Sequence, residues 1–201
     1  MIHVLLAEDD ELIREALAAL LGREDDIRIV AAAPDGHLAV EAALLYRPDV
    51  VVADLAMPRL DGLGVVRELG RTLPGCAVVI LTAHGSPLAI RRALASGARG
   101  FLAKGAPGTA LADVVRRVHE GSRYVDPLLA ADALTAPVSP LTPREAEVLA
   151  AAGPDGAVRE AARTLYLSPG TVRNYLAAAV TKLGAAGRAD AHRIAGDNGW
   201  I

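Results

Sequence analysis

The chain has 201 residues, an apolar fraction of 52% and a single cysteine, Cys76. That length and composition allow one large or two small domains with a sizeable core, and the lone cysteine excludes an internal disulfide framework and any CxxC zinc pair. The net charge of −3 is unevenly divided: residues 1–139 hold fourteen Arg/Lys and eighteen Asp/Glu, residues 140–201 seven and six, so any nucleic-acid affinity of the C-terminal part must come from local placement of charge.

No apolar run reaches the roughly 18 residues that a membrane span needs. The N-terminus enters a strand pattern that ends in acids, not a secretory leader, so a cytoplasmic location is expected. Strand and helix patterns then alternate through residues 1–121. Strand-like runs cover 2–7, 27–33, 49–54, 76–82 and 99–103. In the first helix Leu12, Ile13, Ala16, Leu17, Leu20 and Leu21 form a core-facing stripe. Asp35 is placed to cap a second helix to about Tyr46, which Pro48 stops. Pro87 and Pro107 suit the first turns of a fourth and a fifth helix, the latter running to about Gly121. Five βα units with short loops imply a five-stranded doubly wound parallel sheet of the flavodoxin-like α/β kind.

Residues 122–140 change character. Asp126-Pro127, Ala136-Pro137 and Ser139-Pro140 mark a linker, with room for a short helix over 127–134. From Leu141 the pattern is helical only, so 141–201 reads as a small all-α domain. Thr142-Pro143-Arg144-Glu145 is a capping box with proline at N1, and Ser168-Pro169 repeats the cap-then-proline device.

The runs 2–7 and 49–54 end in Glu8-Asp9 and Asp54. On neighbouring parallel strands these three carboxylates meet at the C-terminal sheet edge, where open α/β sheets place ligands. Like charges that close imply a cation or a shared proton, and two or three carboxylates suit Mg²⁺. Thr82 and Lys104 end the fourth and fifth runs at the same edge. Asp54 is then a nucleophile for a phosphoryl group, with Lys104 and the cation offsetting charge on the transferring oxygens and the Thr82 hydroxyl bonding one of them. Lys104 is one of only two lysines, the other being Lys182; arginine is not equivalent as a compact charge. Asp10 reads as a solvated first-turn residue.

Residues 1–121 resemble the receiver domain of two-component response regulators, through Ala7-Glu8-Asp9, Asp54-Leu55-Ala56-Met57-Pro58, Asp61-Gly62, Thr82-Ala83 and Lys104. The resemblance implies phosphorylation of Asp54 by a histidine kinase, and Mg²⁺ held by Glu8, Asp9, Asp54 and the Ala56 carbonyl. Glu8 replaces a commoner Asp. It also implies a switch in which Thr82 turns to the phosphoryl group and the aromatic Phe101 turns inward. Ala56 and His84 stand where the family tunes phosphoryl lifetime.

In the C-terminal part, 159–165 reads as a short helix and 168–183 as a longer one, joined by a tight turn, which suggests helix-turn-helix. Val172, Leu176, Ala179, Val180 and Leu183 face inward. The opposite face carries Gly170, Arg173, Asn174, Ala177, Ala178 and Thr181. Arg and Asn can read base edges, and Thr171, Tyr175 and Lys182 flank them for phosphates. This part resembles the LuxR-type DNA-binding domain that follows receivers in the NarL/FixJ family, through Leu141–Glu145, Leu167–Asn174, Lys182-Leu183-Gly184 and Gly199-Trp200. The family's base contacts then fall on Arg173 and Asn174, while its third position is Ala177, which cannot hydrogen-bond. The loop Gly153–Val158 departs from the family by losing the usual cap at Ala157, with Asp155 as a substitute, and Ala161 replaces a larger aliphatic.

The resulting expectation is a transcriptional response regulator, not an enzyme. Phosphorylation drives a homodimer through the first and fifth helices and a last helix near 188–197, and the dimer binds promoter DNA. The alternative is a receiver whose altered C-terminal domain binds a protein partner or serves as a phosphate sink.

Overall fold

The computed structural model describes residues 1–83, 87–135 and 138–201. The chain divides into two compact units, Met1–Leu134 and Thr135–Ile201.

In the first unit the strands are β1 (Ile2–Ala7), β2 (Ile27–Ala33), β3 (Val50–Asp54), β4 (Ala77–Thr82), β5 (Gly100–Ala103) and β6 (Tyr124–Val125). They form one parallel sheet in the order β2-β1-β3-β4-β5-β6. The helices are α1 (Glu11–Leu21), α2 (Gly36–Tyr46), α3 (Gly62–Thr72), α4 (Pro87–Ala95), α5 (Gly108–His119) and α6 (Pro127–Thr135). Successive strand residues point to opposite faces, so the continuous apolar runs feed two cores. Leu5, Val51, Val78, Ile80 and Phe101 pack with α2, α3 and α4, while Val4, Leu6, Val50, Val52, Val79 and Leu102 pack with α1 and α5. This is the doubly wound sheet that the run pattern implied.

Three details differ from the sequence expectation. A sixth strand extends the sheet, with Tyr124 N donating to Arg99 O at 2.8 Å and Asp126 N to Phe101 O at 2.9 Å. Part of the 122–140 stretch therefore belongs to the sheet; two residues are too short to show a strand period. Leu12 is 76% exposed and Ala16 is also exposed, so the core side of α1 is carried by Ile13, Leu17, Leu20 and Leu21. Pro107 occupies the N-cap of α5, not its first turn, and the helix ends at His119.

Two glycines are set by close approach. A Cβ on Gly36 would lie 2.1 Å from Leu60 O, and one on Gly62 2.4 Å from Asp54 O. The loop between β3 and α3 is thus pressed against both the start of α2 and the end of β3. Asp35 fastens it: one carboxylate oxygen caps α2 through Leu38 N at 3.0 Å, and the other pairs with Arg59. Arg59 sits at φ +66°, a conformation that costs a non-glycine residue energy. Cys76 is half-buried, and burial pushes its thiol up to about 12, in keeping with a core residue.

In the second unit the helices are α7 (Pro143–Ala152), α8 (Val158–Thr164), α9 (Pro169–Leu183) and α10 (Arg188–Asp197). The capping box at Thr142 forms in full, with Glu145 N donating to Thr142 Oγ1 and Thr142 N to Glu145 Oε2. Ser168 caps α9 through Thr171 N at 3.0 Å, and Gly184 closes it at φ +59°. The Gly153–Val158 loop turns on Gly153 and Gly156, both at φ +64°. Ala157 takes the N-cap of α8 without a side-chain bond, so Asp155 does not substitute for the missing cap. The core is small and rich in alanine, built around Leu149, Val148, Val172 and Leu176 with Ala146, Ala152, Ala161, Ala162, Ala179, Ala191 and Ala195.

Candidate functional site

Neighbouring strands β1, β3, β4 and β5 end at one edge of the sheet, and the loops after them carry the acidic group. Glu8, Asp9 and Asp54 place carboxylate oxygens within 4.8 Å of one another. Glu8 and Asp54 are buried, and Asp9 is exposed. Lys104, positioned by its backbone N–H to Thr82 O at 2.8 Å, projects its ammonium among them. Its Nζ donates to Glu8 Oε1 at 2.9 Å and lies 2.7 Å from Glu8 Oε2 and 3.1 Å from Asp54 Oδ2.

The electrostatics follow from burial and charge. Desolvation raises the Glu8 carboxyl above its ordinary value, and the negative charge of Asp54 adds to this; the Lys104 hydrogen bond pulls the other way without winning. Desolvation also opposes the Lys104 ammonium, but its hydrogen bonds to Glu8 and Asp54 outweigh that, so it stays firmly protonated. One ammonium faces two buried carboxylates and a third acid. Glu8 Oε2 is close to Nζ yet has no aligned hydrogen-bond donor. A hard divalent cation fits this donor set: oxygen-only ligands, excess negative charge and an oxygen with bonding capacity to spare.

The other expected residues lie as follows. Thr82 is buried at the end of β4, and by strand alternation it points to the same side as Ile80 and Phe101. Phe101 is fully buried in that core, three residues before Lys104. Ala56 is exposed in the loop after β3. His84 lies outside the described residues. Asp10 caps α1, its Oδ1 accepting from Leu12 N at 2.9 Å and Ile13 N at 3.1 Å. The Asp35–Arg59 fastening of the loop that carries Ala56 has no signal in the sequence, because the partners lie on different loops.

In the second unit, Val172, Leu176 and Ala179 are buried, and Gly170, Arg173, Asn174, Ala177 and Thr181 are exposed on the opposite side of α9. Thr171 shares its hydroxyl with Ser168 Oγ at 2.8 Å, and Tyr175 packs partly against the core. Lys182 has a different partner from the one expected: Nζ pairs with Glu145 Oε2 at 2.8 Å, tying α9 to the capping box of α7. Hydrogen bonds from Lys182 and then from the Thr142 backbone hold the Glu145 carboxyl below its ordinary value of 4.5. A lowered folded-state value stabilises above the ordinary value and is lost as pH falls through the folded one. Glu145→Gln is therefore expected to flatten the acid side of the stability profile of this unit, read by fluorescence of Trp200, the chain's one tryptophan. Glu145→Ala, which also removes the cap partner, should cost about 1–2 kcal/mol.

Residues 4–116 match the family described as response regulator receiver domain, and residues 139–195 match the bacterial regulatory proteins, luxR family. The transcriptional regulatory protein DesR of Bacillus subtilis (strain 168) is 36% identical over 201 residues, covering 100% of both chains. An uncharacterized transcriptional regulatory protein of the same organism, YvfU, is 38% identical over 203 residues, again covering 100% of both. Among solved structures, the response regulator ChrA of a heme-sensing two-component system is similar at a TM-score of 0.61 and 34% identity, covering 100% of this chain and 98% of that one.

Proposed function

The chain belongs to the response regulators that join a receiver domain to a LuxR-type domain, and from that premise we propose how its two sites work. It is a DNA-binding transcriptional response regulator of a two-component system, not an enzyme. Asp54 is the phosphoryl acceptor, and the donor is a phosphohistidine of a sensor kinase. A carboxylate oxygen of Asp54 attacks phosphorus; the O–P bond forms as the N–P bond breaks, and the electron pair leaves with the imidazole nitrogen, which takes up a proton. Lys104 carries positive charge to the transferring oxygens, a role that grows as charge develops there. Glu8, Asp9 and Asp54, with the Ala56 carbonyl, would hold Mg²⁺, which supplies neutralisation of phosphoryl charge. The Thr82 hydroxyl then bonds a phosphoryl oxygen, and the packing of Phe101 on the same face of the sheet changes with it.

The carrying observation is the three-carboxylate group around Lys104 at the C-terminal sheet edge. The readout is DNA binding by α9, with Arg173 and Asn174 at base edges and Thr171 and Tyr175 near phosphates. One such domain has few cations, so two copies on paired half-sites bind far better than one. Dimerisation through α1, α5 and α10 is the natural output of phosphorylation. No helix among the described residues is long and apolar enough to cross a membrane, which is compatible with the cytoplasmic location that promoter binding needs.

Gel shifts with promoter fragments, with and without a small phosphodonor and Mg²⁺, test this reading. Tighter binding after phosphorylation is expected. A folded protein that shifts no fragment in either state would leave the protein-partner or phosphate-sink reading in its place.

A further inference from the structure

Residues 140–201 contain seven Arg and Lys side chains, and the second unit sorts them. Arg144 pairs with Glu147, Lys182 with Glu145, and Arg193 with Asp190 and Asp197, while Arg188 lays its stem against Gly156 and has no ion-pair partner among the described residues. Arg159, Arg163 and Arg173 line one groove between α8 and α9, with Glu160 as its single carboxylate. Among the described residues none of these three arginines has an ion-pair partner. Arg159 and Arg163 also line a second groove, with Tyr166 and Pro169.

Tyr166 adds an independent observation. It stands in the turn between the two helices at φ +54° and is 96% exposed. Glycine or asparagine adopts that backbone at less cost than a bulky residue. The ring gains nothing from burial, so neither conformation nor packing within the chain accounts for a tyrosine there. Arg159 and Arg163 are one helical turn apart, with Cβ atoms about 6 Å from each other. Their planar forks match phosphate oxygens two at a time, and a tyrosine hydroxyl donates to phosphate as readily.

We infer that Arg159, Arg163 and Tyr166 form a contact strip for the phosphodiester backbone of DNA, adjoining the base-reading face of α9 at the groove they share with Arg173. This inference rests on the DNA-binding reading above. It divides the labour within the domain. On α9, Gly170 and Ala177 offer no side-chain hydrogen bond to a base, so sequence choice rests on Arg173 and Asn174. The strip on α8 and the turn supplies affinity that is indifferent to sequence.

The full chain, treated with acetyl phosphate and Mg²⁺, is titrated onto two labelled duplexes across a range of salt. One duplex is enriched from a random library by the protein itself, and the other is its scrambled counterpart. Arg159→Gln and Arg163→Gln are each expected to weaken both duplexes by the same factor. Each should flatten the plot of log affinity against log salt by about 0.9 for every phosphate no longer neutralised. Tyr166→Gly, which relieves the backbone, should keep the fold and weaken both duplexes equally. Arg173→Gln should weaken the enriched duplex more than the scrambled one. Arg193→Gln removes the same charge from a paired site and should leave the slope unchanged. Unaltered slopes in the Arg159 and Arg163 variants, or an equal loss in Arg193→Gln, overturn the strip while DNA binding by the wild type stands. Wild type that binds neither duplex, with Trp200 reporting a folded unit, overturns the DNA-binding reading itself.

Discussion

Asp54→Asn is expected to abolish phosphoryl uptake from acetyl phosphate while leaving the receiver folded. The amide has nearly the shape of the carboxylate but is not a nucleophile. The residue is only 6% exposed, in a cluster where Glu8 and Asp54 are both buried and share Lys104. Removing one of the two buried negative charges relieves their mutual repulsion, and Lys104 keeps Glu8 as its partner. The loss of the Asp54 ion pair and the relief of repulsion oppose each other, so the variant should stay folded with a small net change in thermal stability. Intact-mass analysis after incubation with the phosphodonor gives the readout: one phosphoryl group on wild type, none on the variant. Wild-type protein stripped of divalent cations should resemble the variant.

Leu176→Ala should have the largest effect on stability, and it should be confined to one unit. Leu176 is 1% exposed at the centre of a core otherwise made mainly of alanine. Truncating a buried leucine costs about 2–5 kcal/mol, more where the surroundings cannot collapse. Alanines already bring their backbones close to the leucine, so little side chain remains to move into the space. A unit of 67 residues, Thr135–Ile201, has a total stability of only about 3–10 kcal/mol. The variant should therefore lose a large share of that unit's stability, unfold at a markedly lower temperature than wild type, and lose DNA binding as it does so. Trp200, partly packed against that core, reports the unfolding. The receiver has its own cores, so phosphorylation of Asp54 should proceed as in wild type.

These two outcomes separate what residues show locally from what only the fold shows. The strands β1 to β5 were legible because buried parallel strands are unbroken apolar runs, Val50-Val51-Val52 being the plainest. The acids, Thr82 and Lys104 were legible because each ends such a run, and parallel order brings the ends to one edge. β6 was not legible, since its two residues acquire their pairing from β5 and not from any period of their own. The exposure of Leu12 was hidden for a related reason: a stripe read at helical spacing is wide, and only packing decides which of its margins faces water. Lys182 sat where a phosphate partner was reasonable, but its partner Glu145 lies 37 residues away and belongs to the cap of another helix. The unpaired state of Arg159 and Arg163 was equally hidden, because net charge counts cations without saying which are already neutralised.

Phosphorylation of Asp54, on this reading, controls where the chain sits on DNA. Genome-wide mapping of bound DNA in cells carrying wild type or Asp54→Ala tests that most directly, with both proteins at equal abundance. Wild type should occupy a discrete set of promoters under the inducing condition, and the variant should lose most of that occupancy. Equal occupancy of the same promoters by both proteins would contradict it.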